Sequence, residues 1–440
     1  MPYQAVPVVA QQQVIPTKGP VHRWIEPWYV AYAILGALAS GLAVILIPLV
    51  VTGGGGGSTE IGTAIAAQNI GALMSPFWGG VADKSKAYRS IFFGGFLLIG
   101  LGFLAFTLLH GASAWLAGAF LVGLGTAASN TVASLFVVEF TPPTEWSVRI
   151  SWLQTFNASG SVIGMFLAGW LAPHTGTLIS ALLVLPALLI GGHGLPVPAE
   201  RLPRFGGLHR DTLARLVKRV EPVTASVITR IHHPRLWDFA LLGPAMRSAF
   251  GMFLAGWFCF SLAVSAFSSL YPVLMQNSFG MAVSRSSTLI AIVTALSIPL
   301  YNLAGRLVSR FGPATMLGVG IGARALALLG LGVVALTHLS SVSTVPVIIL
   351  FTLFQGIWPL LSVSANDLAA VSAPFGEGAA MGLFNAAAAI ASAAGAILGG
   401  VVADHLGYGA VSVFAGLVAL GALACVVPLA RQHFSAPQNI

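Results

Sequence analysis

Apolar residues in this chain come in runs of about 20 or more, again and again, parted by short polar turns. A helix needs roughly 20 such residues to cross the hydrocarbon core of a bilayer. Inside lipid, every backbone N–H and C=O must find its partner within the spanning structure itself, which leaves only helices and closed barrels. Strand-period alternation, the mark of a membrane barrel, is missing from these runs. A soluble core is excluded by composition: 57% of the residues are hydrophobic and only 7% charged, where soluble domains carry about 25% charged residues. The expected fold class is an all-α integral membrane protein.

Twelve runs are legible. They cover about 27–51, 60–82, 90–110, 114–139, 147–171 and 175–196, then 248–273, 284–307, 314–337, 344–368, 378–402 and 408–430. This divides the chain into an N-terminal tail at 1–26, a six-helix bundle at 27–197, a basic linker at 198–247, a second six-helix bundle at 248–431 and a C-terminal tail at 432–440. The tail at 1–26 lacks the basic start and apolar core of a signal peptide. Five glycines, Gly53 to Gly57, follow the first run and predict a flexible loop. If the helices alternate in direction, Lys18, Arg23, Lys84, Lys86, Arg89, Arg149, the linker cations, Arg306, Arg310 and Arg431 fall on one side, and Arg285 on the other. The positive-inside rule then predicts a multi-pass protein of the plasma (inner) membrane with both termini cytoplasmic. It also accounts for the net charge of +8 without any nucleic-acid partner. Within the linker, Leu208 to Val220 is partly amphipathic. It suits either the inner leaflet, where each base is worth about 1 kcal/mol, or an ordinary solvated connector.

The turn between the second and third runs reads Gly-Gly-Val-Ala-Asp-Lys-Ser-Lys-Ala-Tyr-Arg, from Gly79 to Arg89. It resembles the signature of the major facilitator superfamily of secondary transporters, Gly-x-Leu-Ala-Asp-Arg-x-Gly-Arg-Arg. Gly79, Val81, Ala82, Asp83, Lys84 and Arg89 fit; Lys86, Ala87 and Tyr88 depart from it. The turn after the eighth run, Gly305 to Gly312, echoes the same pattern, with Arg310 in the place of Lys84 and Ser309 in that of Asp83. The fifth and eleventh runs echo each other too: Pro143, Glu145 and Asn157 in one, Pro374, Glu377 and Asn385 in the other. The resemblance spans about 27–430. It implies twelve transmembrane helices in two six-helix bundles around a central cavity, and alternating access to that cavity.

In that family the first, fourth, seventh and tenth runs line the cavity. The resemblance therefore makes Tyr32, Asn130, Trp257, Ser265, Gln355, Trp358 and Asn366 the candidate substrate-binding residues. The amides among them are the harder to dismiss, because an amide buried unpaired costs several kcal/mol. A serine has the alternative of bonding its own helix carbonyls. No acid lies near the middle of these runs, and a midplane acid is the usual proton carrier. A neutral or amphiphilic solute is the expectation, with coupling weak or indirect. Arg324 lies inside the ninth run, which the resemblance places on the periphery. It suits an anion site, or else snorkelling or a structural pair. Gly160 to Gly164 has Ser161 where family exporters carry proline, so efflux is only weakly indicated.

Gly79, Asp83, Lys84, Arg89, Glu139, Arg149, Gly305 and Arg310 form the candidate gating cluster at the cytoplasmic mouth. Asp83 suits the positive end of the eleventh helix. A plain positive-inside anchor explains the same charges. His110, His174, His338 and His405 sit at run ends without metal spacing, and Cys259 and Cys425 lie in apolar runs as filler thiols. No metal, cofactor or enzymatic activity is expected. The expected partners are a small-molecule substrate and the bilayer, with the chain acting as a monomer. The competing expectation is a transporter-shaped sensor or scaffold that carries no flux.

Overall fold

The computed structural model describes residues 25–85, 87–141, 145–194, 248–337, 344–372 and 377–435. The basic linker with its segment at 208–220, and nearly all of the N-terminal tail, lie outside the described residues.

The described chain is helical throughout. Its rods are α1 (Tyr29–Gly53), α2 (Ser58–Ala72 and Ser75–Ser85), α3 (Tyr88–Leu108), α4 (Ala112–Phe140), α5 (Trp146–Ala168) and α6 (Pro173–Leu182 and Val184–Gly194). In the second half they are α7 (Ala249–Ser268 and Tyr271–Phe279), α8 (Val283–Phe311), α9 (Pro313–Leu336), α10 (Val345–Gly356 and Trp358–Val371), α11 (Glu377–Leu406) and α12 (Tyr408–Ser435). Ten of the twelve are long and apolar enough to cross a membrane. The other two are α2, which is broken, and α5, which carries Arg149, Gln154 and Asn157. The last helix continues to Ser435, past the boundary expected at 431.

Each broken rod stops just ahead of a proline: Pro76 in α2, Pro186 in α6, Pro272 in α7 and Pro359 in α10. Proline has no N–H to give the carbonyl four residues back and its ring crowds that carbonyl. The first segments accordingly end at Ala72, Leu182, Ser268 and Gly356. The first rod carries a different irregularity, one wide π turn at Ala37–Leu42.

The five-glycine stretch is not a slack loop. α1 extends through Gly53, and Gly54 to Gly57 fold into a compact turn that enters α2, with Gly55 at φ +85°. A Cβ on Gly54 or on Gly56 would come within 2.7 Å of the Trp115 ring. Glycine is needed here for close packing as well as for the positive φ.

Packing repeats with an offset of six. α1 pairs with α5 as α7 does with α11; α3 with α6 as α9 with α12; α2 with α4 as α8 with α10. The two halves meet through α2 on α11 and α5 on α8. One end of the bundle carries residues 25 and 435 and is called the terminal end; the other is the distal end. At the distal end Gly62 lies against Ala396 and Gly400 against Ser58, so close that an added Cβ would be 2.2 and 2.3 Å from the facing carbonyl oxygens. Towards the terminal end the halves part: Gly80 of α2 and Gly382 of α11 have nothing within 4 Å of a built Cβ, and Gly79 meets only Thr131 of its own half. The cores agree. A single apolar cluster crosses both halves distally, whereas Phe250, Phe253, Trp257, Leu317, Leu361 and Phe384 form a separate cluster in the terminal part of the second half.

Candidate functional site

On the first-half wall, the Tyr32 hydroxyl donates to Asn130 Oδ1 at 2.7 Å. Tyr32 is buried and Asn130 exposed, so the phenol anchors an amide that faces outward from its helix. The Asn157 amide donates to the Tyr32 carbonyl at 3.4 Å. This cluster sits one turn ahead of the π turn of α1, and such turns often mark functional sites. Ser161, the residue in place of the exporter proline, donates to the carbonyls of Gly36 and Asn157 at 3.2 and 2.9 Å. It therefore helps to bind α5 to α1. A cleft of about 360 Å³ lies on the terminal half of α5, with Val148, Ser151, Trp152 and Thr155 in its lining.

On the second-half wall, the Trp257 ring stacks on Phe384 of α11 at 5.1 Å and 27°. Its buried indole N–H has no acceptor among the described residues. Ser265 donates to the Ser392 carbonyl at 2.6 Å and so links α7 to α11. Asn366 donates to the Ser362 carbonyl of its own helix at 2.7 Å, which leaves its exposed carbonyl oxygen to other partners. Gln355 and Trp358 are half-buried on either side of the α10 break.

Arg324 does not snorkel. It lies midway along the 24-residue α9, is 2% exposed, and makes no ion pair among the described residues. Its Nε–H donates to the Phe354 carbonyl at 2.6 Å. Its guanidinium carbon stands 4.3 Å from the Phe354 ring centroid, 5.1 Å from Trp358 and 5.8 Å from Phe260. Nη1 is buried with no partner among the described residues. The cation is thus held between α7 and α10.

The gating candidates all lie at the terminal end. Arg149 is drawn to Glu26 at 2.5 Å and to Glu145 at 2.9 Å. Arg89 donates to the Gly192 carbonyl at 2.9 Å and lies over the Phe93 ring. Arg310 is exposed and lies over Phe311. Lys84 and Glu139 are exposed, and Gly305 has open space around it. The side chain of Asp83 lies outside what the structure describes.

The halves are tied at the opposite end, through a residue to which sequence reasoning gave no role. Asp404, near the end of α11, accepts from the backbone N–H of Ser58 at 2.9 Å, from that of Thr59 at 2.8 Å and from the Thr59 hydroxyl at 2.6 Å. It caps the first turn of α2, where unpaired N–H groups and the helix dipole favour an anion. Beside it the Ser58 and Tyr408 hydroxyls hydrogen-bond at 2.9 Å, and Glu60 accepts from Gly57 N–H at 2.9 Å. A signal was present: Gly57-Ser-Thr-Glu60 reads as a helix start. Its partner, some 346 positions away, was not visible.

A profile of the Major Facilitator Superfamily matches residues 29–377. The chain is 26% identical over 305 residues to the niacin transporter NiaP of Acinetobacter baylyi, covering 66% of this chain and 68% of that protein. Among solved structures, the nucleoside transporter NupG superposes with a TM-score of 0.69 at 11% identity, over 92% of this chain and 98% of that one. The POT family transporter PepTSo superposes with a TM-score of 0.67 at 16% identity, over 96% and 99%. At these identities the two structures share the fold with this chain.

Proposed function

The chain belongs to the major facilitator superfamily and is a multi-pass membrane transporter of that type; from that premise we propose that it carries a small amphiphilic organic solute by alternating access, with the terminal end in the cytoplasm. One observation carries this reading. Two six-helix halves are sealed at the distal end and parted at the terminal end, which is one of the two states such a cycle needs. The seal is built to be reversible: a few polar bonds of Asp404 at an exposed helix end, beside glycine contacts with no interlocking side chains. The sidedness rests on the cations, which collect at the terminal end. That end faces the cytoplasm of the inner membrane. The lining mixes amides with aromatic rings and suits an amphiphile better than a sugar-like solute. The relatives named above transport niacin and nucleosides, organic solutes of this size. One chain supplies both halves of the pathway, so a monomer suffices, and no catalytic chemistry is assigned to it.

The test is flux in proteoliposomes, run as net uptake and as counterflow, across organic acids, nucleosides and short peptides. The transporter reading expects saturable movement of at least one class. Silence in both modes across the whole panel would turn the balance to a sensor or scaffold. A cavity open to the cytoplasm is the loading state of an exporter and the release state of an importer. Flux in vesicles of known orientation separates the two.

A further inference from the structure

We infer that Arg324 and the rings around it form an anion subsite for a monocarboxylate carried on a flat, apolar body. An unneutralised guanidinium at the middle of a membrane helix is expensive, even on the scales that price it lowest. Guanidinium stays protonated in proteins. A buried arginine with a purely structural task normally meets an acid, and here there is none among the described residues. Phe354, Trp358 and Phe260 satisfy part of the charge through their faces. The Phe354 carbonyl takes one N–H. What remains is a donor, Nη1, with its acceptor missing.

The backbone beside it is irregular for an independent reason. α10 breaks at Ile357, between Phe354 and Trp358, because Pro359 has no N–H for the Gln355 carbonyl. Irregular backbone at membrane depth is tolerated where it is buried in protein or lines a cavity, and broken helices hold substrate in many transporters. A Cβ added to Gly356 would meet nothing within 4 Å, so there is open space at the break. Of the three rings, Phe260 and Phe354 are 1% exposed, while Trp358 is only half-buried. Nη1 is therefore least enclosed on the Trp358 side, where that ring offers a face for the solute to stack on. Nearby, Trp257 has a second buried donor without an acceptor.

The charge count selects the ligand. One cation balances one negative charge, and a carboxylate matches the geometry of the guanidinium fork. A phosphate would bring more charge than the site can answer. The rings favour a flat body, since aromatic pairs add attraction beyond their buried area.

This subsite deepens the transporter reading and rests on it for its role in the cycle; binding tests it alone. The full chain in lipid nanodiscs is titrated with benzoate and nicotinate, and with benzamide and nicotinamide as uncharged mates. Binding is read by titration calorimetry and by the midpoint of thermal unfolding. The acids should bind and raise the midpoint, and the amides should bind at least tenfold more weakly. Arg324→Met should keep or raise the midpoint without ligand, since it removes an unpaired buried charge, and should lose the acid-dependent rise. Arg324→Lys, which keeps the charge but not the fork, should weaken the acids at least fivefold and leave the amides unchanged. This second variant keeps the test usable if Arg324→Met does not fold. The inference is overturned if no acid binds the wild type, if acids and amides bind alike, or if Arg324→Lys binds the acids as the wild type does. Acid binding that depends on Arg324 in a chain with silent flux keeps the subsite and sinks the transporter reading. Flux of an uncharged solute with no acid binding does the reverse.

Discussion

Replacing Asp404 should loosen the distal seal without touching either wall of the cavity. The carboxylate accepts three hydrogen bonds, at 2.9, 2.8 and 2.6 Å, from the first turn of α2. A hydrogen bond to a charged group is worth about 1.5–3 kcal/mol when shielded from water. Asp404 is exposed, so water replaces much of each bond once it breaks, and roughly 0.5 kcal/mol apiece is the better figure. An anion at a helix N-terminus adds about 0.3–1 kcal/mol. Together these come to about 2 kcal/mol of closure that Asp404→Ala removes. That multiplies the ratio of distally open to distally closed molecules by roughly 30. Asp404→Asn keeps an acceptor and loses the charge, so about half the effect, some fivefold, is expected. Spin labels at Ser113→Cys and Thr337→Cys, on distal ends of the two halves, report the separation by pulsed electron resonance, with Cys259 and Cys425 changed to alanine. The expected result is a second, longer distance whose weight rises in the order wild type, Asn, Ala. An unchanged distribution in both variants would refute the reasoning and leave the seal to the glycine contacts alone.

Gly62→Ala should open the same distance even with Asp404 in place, because its Cβ would lie 2.2 Å from the Ala396 carbonyl oxygen and a backbone atom cannot step aside. Gly80→Ala on the same helix, with nothing within 4 Å, should leave it unchanged. Tyr32→Phe removes the donor that aims Asn130; the loss of about 1 kcal/mol should appear as a KM for transported solute raised about fivefold, with little change in kcat. Arg149→Met strips Glu26 and Glu145 of their partner and should lower the midpoint of thermal unfolding in nanodiscs, while Arg149→Lys recovers part of the loss.

The helical class, the long apolar crossings and the repeat of six helices were legible in the chain because lipid is an unforgiving solvent. Each crossing must be a long apolar run that satisfies its own backbone, and each turn must carry the surviving charge. Those constraints are local and need no neighbour. The breaks in α2, α6, α7 and α10 lie at prolines, but Pro48, Pro299 and Pro428 leave α1, α8 and α12 continuous, so the proline alone does not decide a break. The glycine run was legible only as a non-helical turn. Its compactness depends on Trp115, about 60 residues further on, and nothing local reports that. The wall residues divided on the same principle. Tyr32 and Asn130 prove to be partners, whereas Ser265 is spent on the Ser392 carbonyl. Side chains of the same polarity differ in role because different helices face them. Arg324 shows the difference most sharply. Its charge and depth were plain from its place in an apolar run, but only the packing of α9 against α7 and α10 turns the cation towards three rings and the α10 break. Asp404 is the converse. An acid at the end of an apolar run is unremarkable by itself, and becomes the distal tie only because α11 runs antiparallel to α2 and sets a carboxylate on its first turn. By itself the sequence determined that this chain is a twofold bundle of membrane helices. Tertiary structure decided which end of the bundle is shut, because closure depends on contacts between residues hundreds of positions apart.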